Sequence, residues 1–350
     1  MIKFPSIEQL RTVVKNVQHQ SRFAGVDDTG EPIFDSTRPI PTLRFVGTVK
    51  LHGTNAGIVL DRTGTDFIYQ SRERVLTLEA DNAGFMAHMQ AHQDSVDTLF
   101  ATAMLQIENL DAVKFICIYG EWCGGNIQKG VGISGLPKMF VVFGIKVIYE
   151  TDIDETEGEW IPVQNIQYED KDAGIYNVHQ FGSWTIDIDF NHPQLSQPKL
   201  IELTEMVEAE CPAGKFFGNS GIGEGIVWHC EEPGFTSSRL WFKVKGEKHS
   251  VSKVKTLAPV DVEAYKKQQD FIDSVVTEAR LEQGIQNLIN EQQKPFEMSS
   301  MGDFIRWVFN DIVKEETDTI EANGFDSKKL GGPIANKARP WFIQRLNSEG

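Results

Sequence analysis

Leu43-Arg44-Phe45-Val46-Gly47-Thr48-Val49-Lys50-Leu51-His52-Gly53-Thr54-Asn55 is an apolar run that passes directly into a lysine and a polar, glycine-bearing turn. Residues 43–49 are dominated by β-branched and aromatic side chains and read as a strand. A lysine at the tip of a strand, with a glycine three residues on, suits an amine that must attack a nucleotide phosphate. Lys50 would supply the nucleophile, and Gly53 would let backbone N–H groups approach a phosphate with no side chain in the way. A Lys-x-x-Gly pattern alone arises often by chance, so its weight depends on the segments further along the chain.

Outward from this run, residues 56–61, 66–70, 113–120, 139–149, 225–230 and 239–245 are short β-branched and aromatic stretches bounded by Gly, Asp and Asn, which predicts strands. Helical spacing is expected at 85–106 and 199–210, the latter stopped by Cys211-Pro212-Ala213-Gly214. An amphipathic helix is also expected near the start, with Ile7, Leu10, Val13, Val14 and Val17 on one face and Ser6 and Gln9 placed as a capping box. After Pro259 the apolar residues recur only at helical spacing, through Ile272, Val276, Ile285, Leu288, Phe304, Val308 and Ile312. The predicted class is α+β, antiparallel or mixed sheets with flanking helices over residues 1–255, then a small all-helical domain over 256–350.

Four downstream segments carry groups that fit phosphate chemistry. Phe115-Ile116-Cys117-Ile118-Tyr119-Gly120-Glu121 reads as a buried strand that delivers Glu121 at its tip, where an acid serves a ribose or a metal. In Val141-Val142-Phe143-Gly144-Ile145, Phe143 is expected on one face with Val141 and Ile145, and Gly144 leaves room for a planar base beside the ring; plain core packing fits the pattern equally. Gly223-Glu224-Gly225-Ile226-Val227 places a carboxylate between two glycines at the start of a strand. In Arg239-Leu240-Trp241-Phe242-Lys243-Val244-Lys245, alternation puts Trp241, Lys243 and Lys245 on one face. Two lysines so placed repel unless an anion such as a triphosphate lies between them.

Lys50-Leu51-His52-Gly53-Thr54-Asn55, Ser71-Arg72, Tyr119-Gly120-Glu121, Val142-Phe143-Gly144-Ile145, Glu224-Gly225-Ile226-Val227 and Phe242-Lys243-Val244-Lys245 resemble, in order, motifs I, Ia, III, IIIa, IV and V of the covalent nucleotidyltransferases. The His-Gly-Thr-Asn continuation is similar to the RNA ligase 2 family. That resemblance implies an adenylyltransferase domain and ATP-dependent joining of RNA 3′-hydroxyl and 5′-phosphate ends, on nicked duplexes above all. The reaction would pass through lysyl-AMP and RNA-adenylate intermediates, with Mg²⁺ as the metal and Mn²⁺ as a substitute. It implies that Lys50 is the nucleophile, with Leu51 in the nucleotide-binding run. His52 and Asn55 would lie near the phosphates, and Arg72, or else Arg74, would contact phosphate or the RNA end. Glu121 would bind ribose, Phe143 would stack on adenine, Glu224 would bind the metal, and Lys243 and Lys245 would neutralise the phosphates. Loss of a proton from Lys50 is expected to be eased by nearby cations. A DNA ligase or a GTP-using capping enzyme would share these motifs but follow them with a β-barrel rather than helices, and a non-catalytic RNA-binding protein would have no use for the nucleophile.

Composition bounds the partners. The chain has 350 residues, 40% of them hydrophobic, and a net charge of −16, which disfavours diffuse binding to nucleic acid. RNA contact is therefore expected only locally, through Lys243, Lys245, Lys248, Lys253 and Lys255, or through Lys328, Lys329, Lys337, Arg339 and Arg345 in the helical region. The cysteines form no Cys-x-x-Cys pair and are expected as free core thiols in a reducing compartment. With no leader-like start and no long apolar run, a cytoplasmic monomer without membrane association is expected.

Overall fold

Strict alternation along residues 42–50 sends Leu43, Phe45 and Val49 to one side of a sheet and Val46, Thr48 and Lys50 to the other. This is the geometry from which the site is built. The computed structural model describes residues 1–35, 37–62, 66–154, 158–248 and 264–349. They divide into two compact units, Met1–Gly246 and Glu247–Gly350. The expected boundary at 255/256 lies outside the described residues.

The first unit opens with α1 (Leu10–Arg22) and a hairpin of β1 (Phe23–Val26) and β2 (Pro32–Phe34). There follow β3 (Thr42–Lys50), β4 (Thr54–Asp61), β5 (Phe67–Ser71), α2 (Phe85–Ala91), α3 (Gln93–Met104), β6 (Val113–Cys123), β7 (Met139–Tyr149), β8 (Glu159–Ile161), β9 (Ile175–Asn177) and β10 (Ser183–Asp189). The unit closes with α4 (Gln197–Ala209), α5 (Pro212–Phe216), β11 (Gly225–Cys230) and β12 (Phe242–Lys245). One sheet has the order β10-β3-β11-β12, all antiparallel. The second has the order β5-β4-β6-β7-β8, also antiparallel, with β9 added parallel to β7. Phe45, Val49, Ile226, Trp228 and Phe242 of the first sheet pack against Val13 and Val17 of α1 and Leu203 and Val207 of α4. The second sheet buries Ile58, Ile116, Ile118, Phe140 and Val142 against Phe85, Leu99 and Phe100 of α2 and α3. Both sheets thus have one face covered by helices, and their other faces supply the chemistry.

Several local expectations are corrected. The first helix starts at Leu10 with Gln9 as its cap, so Ser6 and Ile7 precede it rather than forming its first turn. The helix expected at 85–106 breaks at His92, whose φ of −119° and ψ of 44° are not helical. Strand β6 runs on through Cys123, so Glu121 sits inside the strand rather than at its tip. Strand β12 starts only at Phe242, after a 3₁₀ turn at Ser238–Leu240.

The most consequential correction is a bulge in β7. Tyr119 pairs with Gly144 while Gly120 pairs with Val142, which leaves Phe143 as the extra residue. The bulge switches the alternation, so Phe143 shares a face with Val141, not with Ile145, which packs into the opposite core. Periodicity alone could not show this, because a bulge leaves no trace in the hydrophobic pattern.

The second unit is helical, with α6 (Ala264–Val275), α7 (Glu278–Gln286), α8 (Met301–Glu315), α9 (Thr317–Ala322) and α10 (Ser327–Glu349) around Ile272, Leu288, Phe304, Val308 and Phe342. Arg280 is fully buried there. It bonds Asp311 at 2.9 Å and the carbonyl of Val275 at 2.8 Å, satisfying the open end of α6. The basic set at 328–345 is not a single open patch, since Lys337 pairs with Asp273 at 2.8 Å and Arg345 with Glu282 at 2.7 Å. Lys328, Lys329 and Arg339 remain exposed on α10.

Candidate active site

In the first sheet Gly225 pairs with Lys50 of β3 on one side and with Lys245 of β12 on the other, so one row reads Lys50, Gly225, Lys245. Two residues along, on the same face, the row reads Thr48, Val227, Lys243. Two ammonium groups therefore flank a residue with no side chain, and the neighbouring Glu224 carboxylate fills the gap. Its Oε2 lies 2.7 Å from Lys50 Nζ and 3.3 Å from His52 Nδ1, and its Oε1 lies 2.9 Å from Lys245 Nζ. The Glu224 side chain is only 1% exposed. Burial works against its ionisation, but the charges of Lys245 and Lys50 and the contact with His52 outweigh burial and hold the carboxyl well below its usual range.

The two lysines respond in opposite directions. Burial, followed by the charges of Lys50 and Lys243, pushes Lys245 below the ordinary lysine range despite Glu224. For Lys50, burial alone would favour the neutral amine, yet Glu224 and Glu121 together raise it above that range, with Arg72 a smaller opposing influence. This reverses the expectation that surrounding cations ease proton loss from Lys50. The physical reason is that the Glu224 carboxylate lies 2.7 Å from the amine and Glu121 adds a second negative charge, which together outweigh Arg72.

Glu121 comes from the second sheet, directly opposite Asn55 in the β4/β6 register. It accepts a hydrogen bond from the Gly53 N–H at 2.9 Å. A side chain at Gly53 would meet the Trp122 carbonyl at 2.5 Å and Cys123 Cβ at 2.6 Å. The glycine is thus required for the turn to lie on β6, and its N–H serves Glu121 rather than a phosphate. Asn82, fully buried, braces the same turn through Thr54 Oγ1 at 3.2 Å and the Asn55 carbonyl at 3.3 Å. Nothing in the local sequence marks Asn82 for this role.

Burial pushes the Glu121 carboxyl up to about 7, with the charge of Glu224 adding to the rise and Lys50 opposing it. The folded protein therefore keeps a proton that the unfolded chain releases, between the ordinary carboxylate range and about 7. Its contribution to stability is complete below that window and falls as pH rises through it. Glu121→Gln should remove the decline. Measured as the melting-temperature difference between wild type and variant, wild type should lose ground from about pH 5 upward; a difference that stays flat or moves the other way would contradict the assignment.

The remaining expected residues divide by surroundings. Arg74 is tied to the carbonyls of Ala80 and Asp81, the latter at 3.1 Å. Arg72 is more open, 3.4 Å from Ser6 Oγ, and its charge reaches both Lys50 and Glu121. Leu51 is 6% exposed and packs into the first core. Phe143 is half-buried on the face of β7 that carries Val141. The room expected beside Gly144 is taken, since a Cβ there would meet the Phe4 and Trp160 rings at 3.3 Å each. Lys253 and Lys255 lie outside the described residues. Among the described residues no cluster of three or more His, Cys, Asp or Glu side chains is arranged to hold a metal. No helix among them is long and apolar enough to cross a membrane.

The centre of the arrangement is a strand-end lysine that shares a buried carboxylate with a second lysine. The RNA ligase family model matches residues 43–245, and the chain belongs to that family. Among solved structures, it is similar to a point variant of the Naegleria gruberi RNA ligase with AMP and Mn, at 16% identity and a TM-score of 0.42, covering 71% of this chain and 56% of that one. It is also similar to the same ligase with PPi, at 14% identity and a TM-score of 0.40, covering 71% and 58%. The chain thus spans little more than half the length of those structures. A search of curated proteins gives no match.

Proposed function

We propose that this protein is an ATP-dependent RNA ligase that joins 3′-hydroxyl and 5′-phosphate RNA ends through lysyl-AMP and RNA-adenylate intermediates. The observation that carries the proposal is that the amines of Lys50 and Lys245 share one buried carboxylate, Glu224. In the first step the Lys50 nitrogen bonds to the α-phosphorus of ATP, the bond to pyrophosphate breaks, and the amine gives up its proton. AMP then passes to the 5′-phosphate of RNA, and attack by a 3′-hydroxyl expels AMP.

Each neighbour has a role consistent with its position. Lys243 and Lys245 would offset the phosphate charge, Arg72 would contact phosphate or the RNA end, and His52 and Asn55 would lie near the phosphates. Glu121 would bind the ribose, and Phe143 would stack on adenine. A divalent cation, Mg²⁺ or Mn²⁺, would be held by Glu224, and the site fits such an ion in one respect: Mg²⁺ is commonly bound by one or two carboxylates plus phosphate oxygens rather than by an all-protein cage. When bound, it would supply charge neutralisation at the phosphates.

The proposal extends to a monomeric, cytoplasmic enzyme of RNA repair whose natural substrate is a nicked duplex; the four buried free thiols fit that setting. Residues 1–246 would form the adenylyltransferase domain, and the helical unit would help to hold RNA through Lys328, Lys329 and Arg339. A chain ending at Gly246 should then self-adenylylate but fail to pass AMP to a 5′-phosphate RNA end. Sealing measured side by side on nicked RNA, an RNA–DNA hybrid and a single strand tests both points, and full-rate sealing of nicked RNA by the shortened chain would assign the helices another role.

A further inference from the structure

The segment before α1 is built into the cleft. The Ile2 N–H donates to Gln70 Oε1 at 3.1 Å, and the Ile2 carbonyl accepts from Gln70 Nε2 at 2.5 Å and from the Tyr119 hydroxyl at 2.9 Å. Ile2, Gln70 and Tyr119 are all at least 97% buried, so the segment is fixed by its own core. This anchoring holds the Phe4 ring 5.0 Å from Phe143, with 65° between the ring planes, and 5.7 Å from Trp160. Phe4 and Phe143 are both half-buried and pack against the same small core of Ile2, Val59, Cys117 and Tyr119, so both rings keep accessible surface on one side of the second sheet.

We infer that Phe4 is a second aromatic wall of the base pocket, bounding the nucleobase that lies flat on Phe143. The inference rests on the nucleotide-binding reading of the site. A planar ring parallel to Phe143 must meet Phe4 at the same steep angle, which is the edge-to-face arrangement aromatic quadrupoles favour. Because Ile2 is locked by three hydrogen bonds, the wall is in place before the base arrives, and little ordering cost is left for binding.

The test uses the full chain and self-adenylylation as a function of ATP concentration. Phe4→Ala should raise KM for ATP about two- to tenfold while the rate at saturating ATP stays within about twofold. Phe4→Tyr should restore the wild-type KM. Ile2→Ala removes apolar contacts from the same cluster without facing the cleft, so it should lower the melting temperature and leave KM alone. An unchanged KM in Phe4→Ala, a lowered one, or an equal rise in Ile2→Ala would each overturn the inference; the lowered KM would show that the ring obstructs the base. If Phe4→Ala does not fold, Phe4→Leu, which keeps apolar bulk and loses the aromatic ring, is read by the same criteria. Should wild type take no label, the ligase reading fails, and the role of Phe4 is then judged from ATP binding followed by quenching of tryptophan fluorescence. Absence of binding by wild type would sink both.

Discussion

Lys50→Ala should take up no label from α-labelled ATP, whereas the wild-type chain should gain one AMP in an acid-stable, hydroxylamine-sensitive P–N bond. The expected effect is total, because no other lysine occupies the end of β3, and Lys245, the nearest alternative amine, belongs to a different strand across Gly225. The variant should fold, since Glu224 keeps Lys245 as a partner at 2.9 Å. It should also seal a pre-adenylylated RNA end better than an unmodified one, because that substrate bypasses the first step. Label retained by Lys50→Ala would overturn the assignment of the nucleophile.

The second large effect concerns stability. Glu224→Gln removes the one buried charge that lies between Lys50 and Lys245, and breaking a buried ion pair from one side costs about 3–5 kcal/mol. Urea or thermal unfolding should show that loss. Adding Lys245→Met to Glu224→Gln should recover part of it, because one of the two ammonium groups left without Glu224 is then gone. If Glu224→Gln is as stable as wild type, or if the double variant is no better than the single one, the carboxylate is not the electrostatic centre of the site. Neither variant should make lysyl-AMP at the wild-type rate, since Glu224 is the residue proposed to bind the metal.

The legible part of this protein was the order of its parts. The strand before Lys50, the acid between glycines at 223–225 and the lysine pair on β12 were readable because each depends on local alternation, and the structure brings Lys50, Glu224 and Lys245 within ion-pair distance. The β7 bulge was not readable. It re-aims Phe143 relative to Ile145 and depends on how β6 and β7 pair, not on either strand alone. The basic stretch at 328–345 looked like one surface because sequence shows charges without their partners; Asp273 and Glu282, more than 60 residues away, take up Lys337 and Arg345.

By itself, then, the sequence determined the α+β class, the succession from a strand-rich region to helices, and the residue types available for phosphate chemistry. Periodicity and turn chemistry act over a few residues and survive without tertiary context. The tertiary structure alone decided the electrostatic surroundings of Lys50 and the packing of Phe4 against Phe143. The bias on Lys50 comes from Glu121 and Glu224, 71 and 174 positions away along the chain, and Phe4 reaches Phe143 only through the hydrogen bonds that pin Ile2 to Gln70 and Tyr119. Charge and packing act through space, so their outcome is set where distant segments converge.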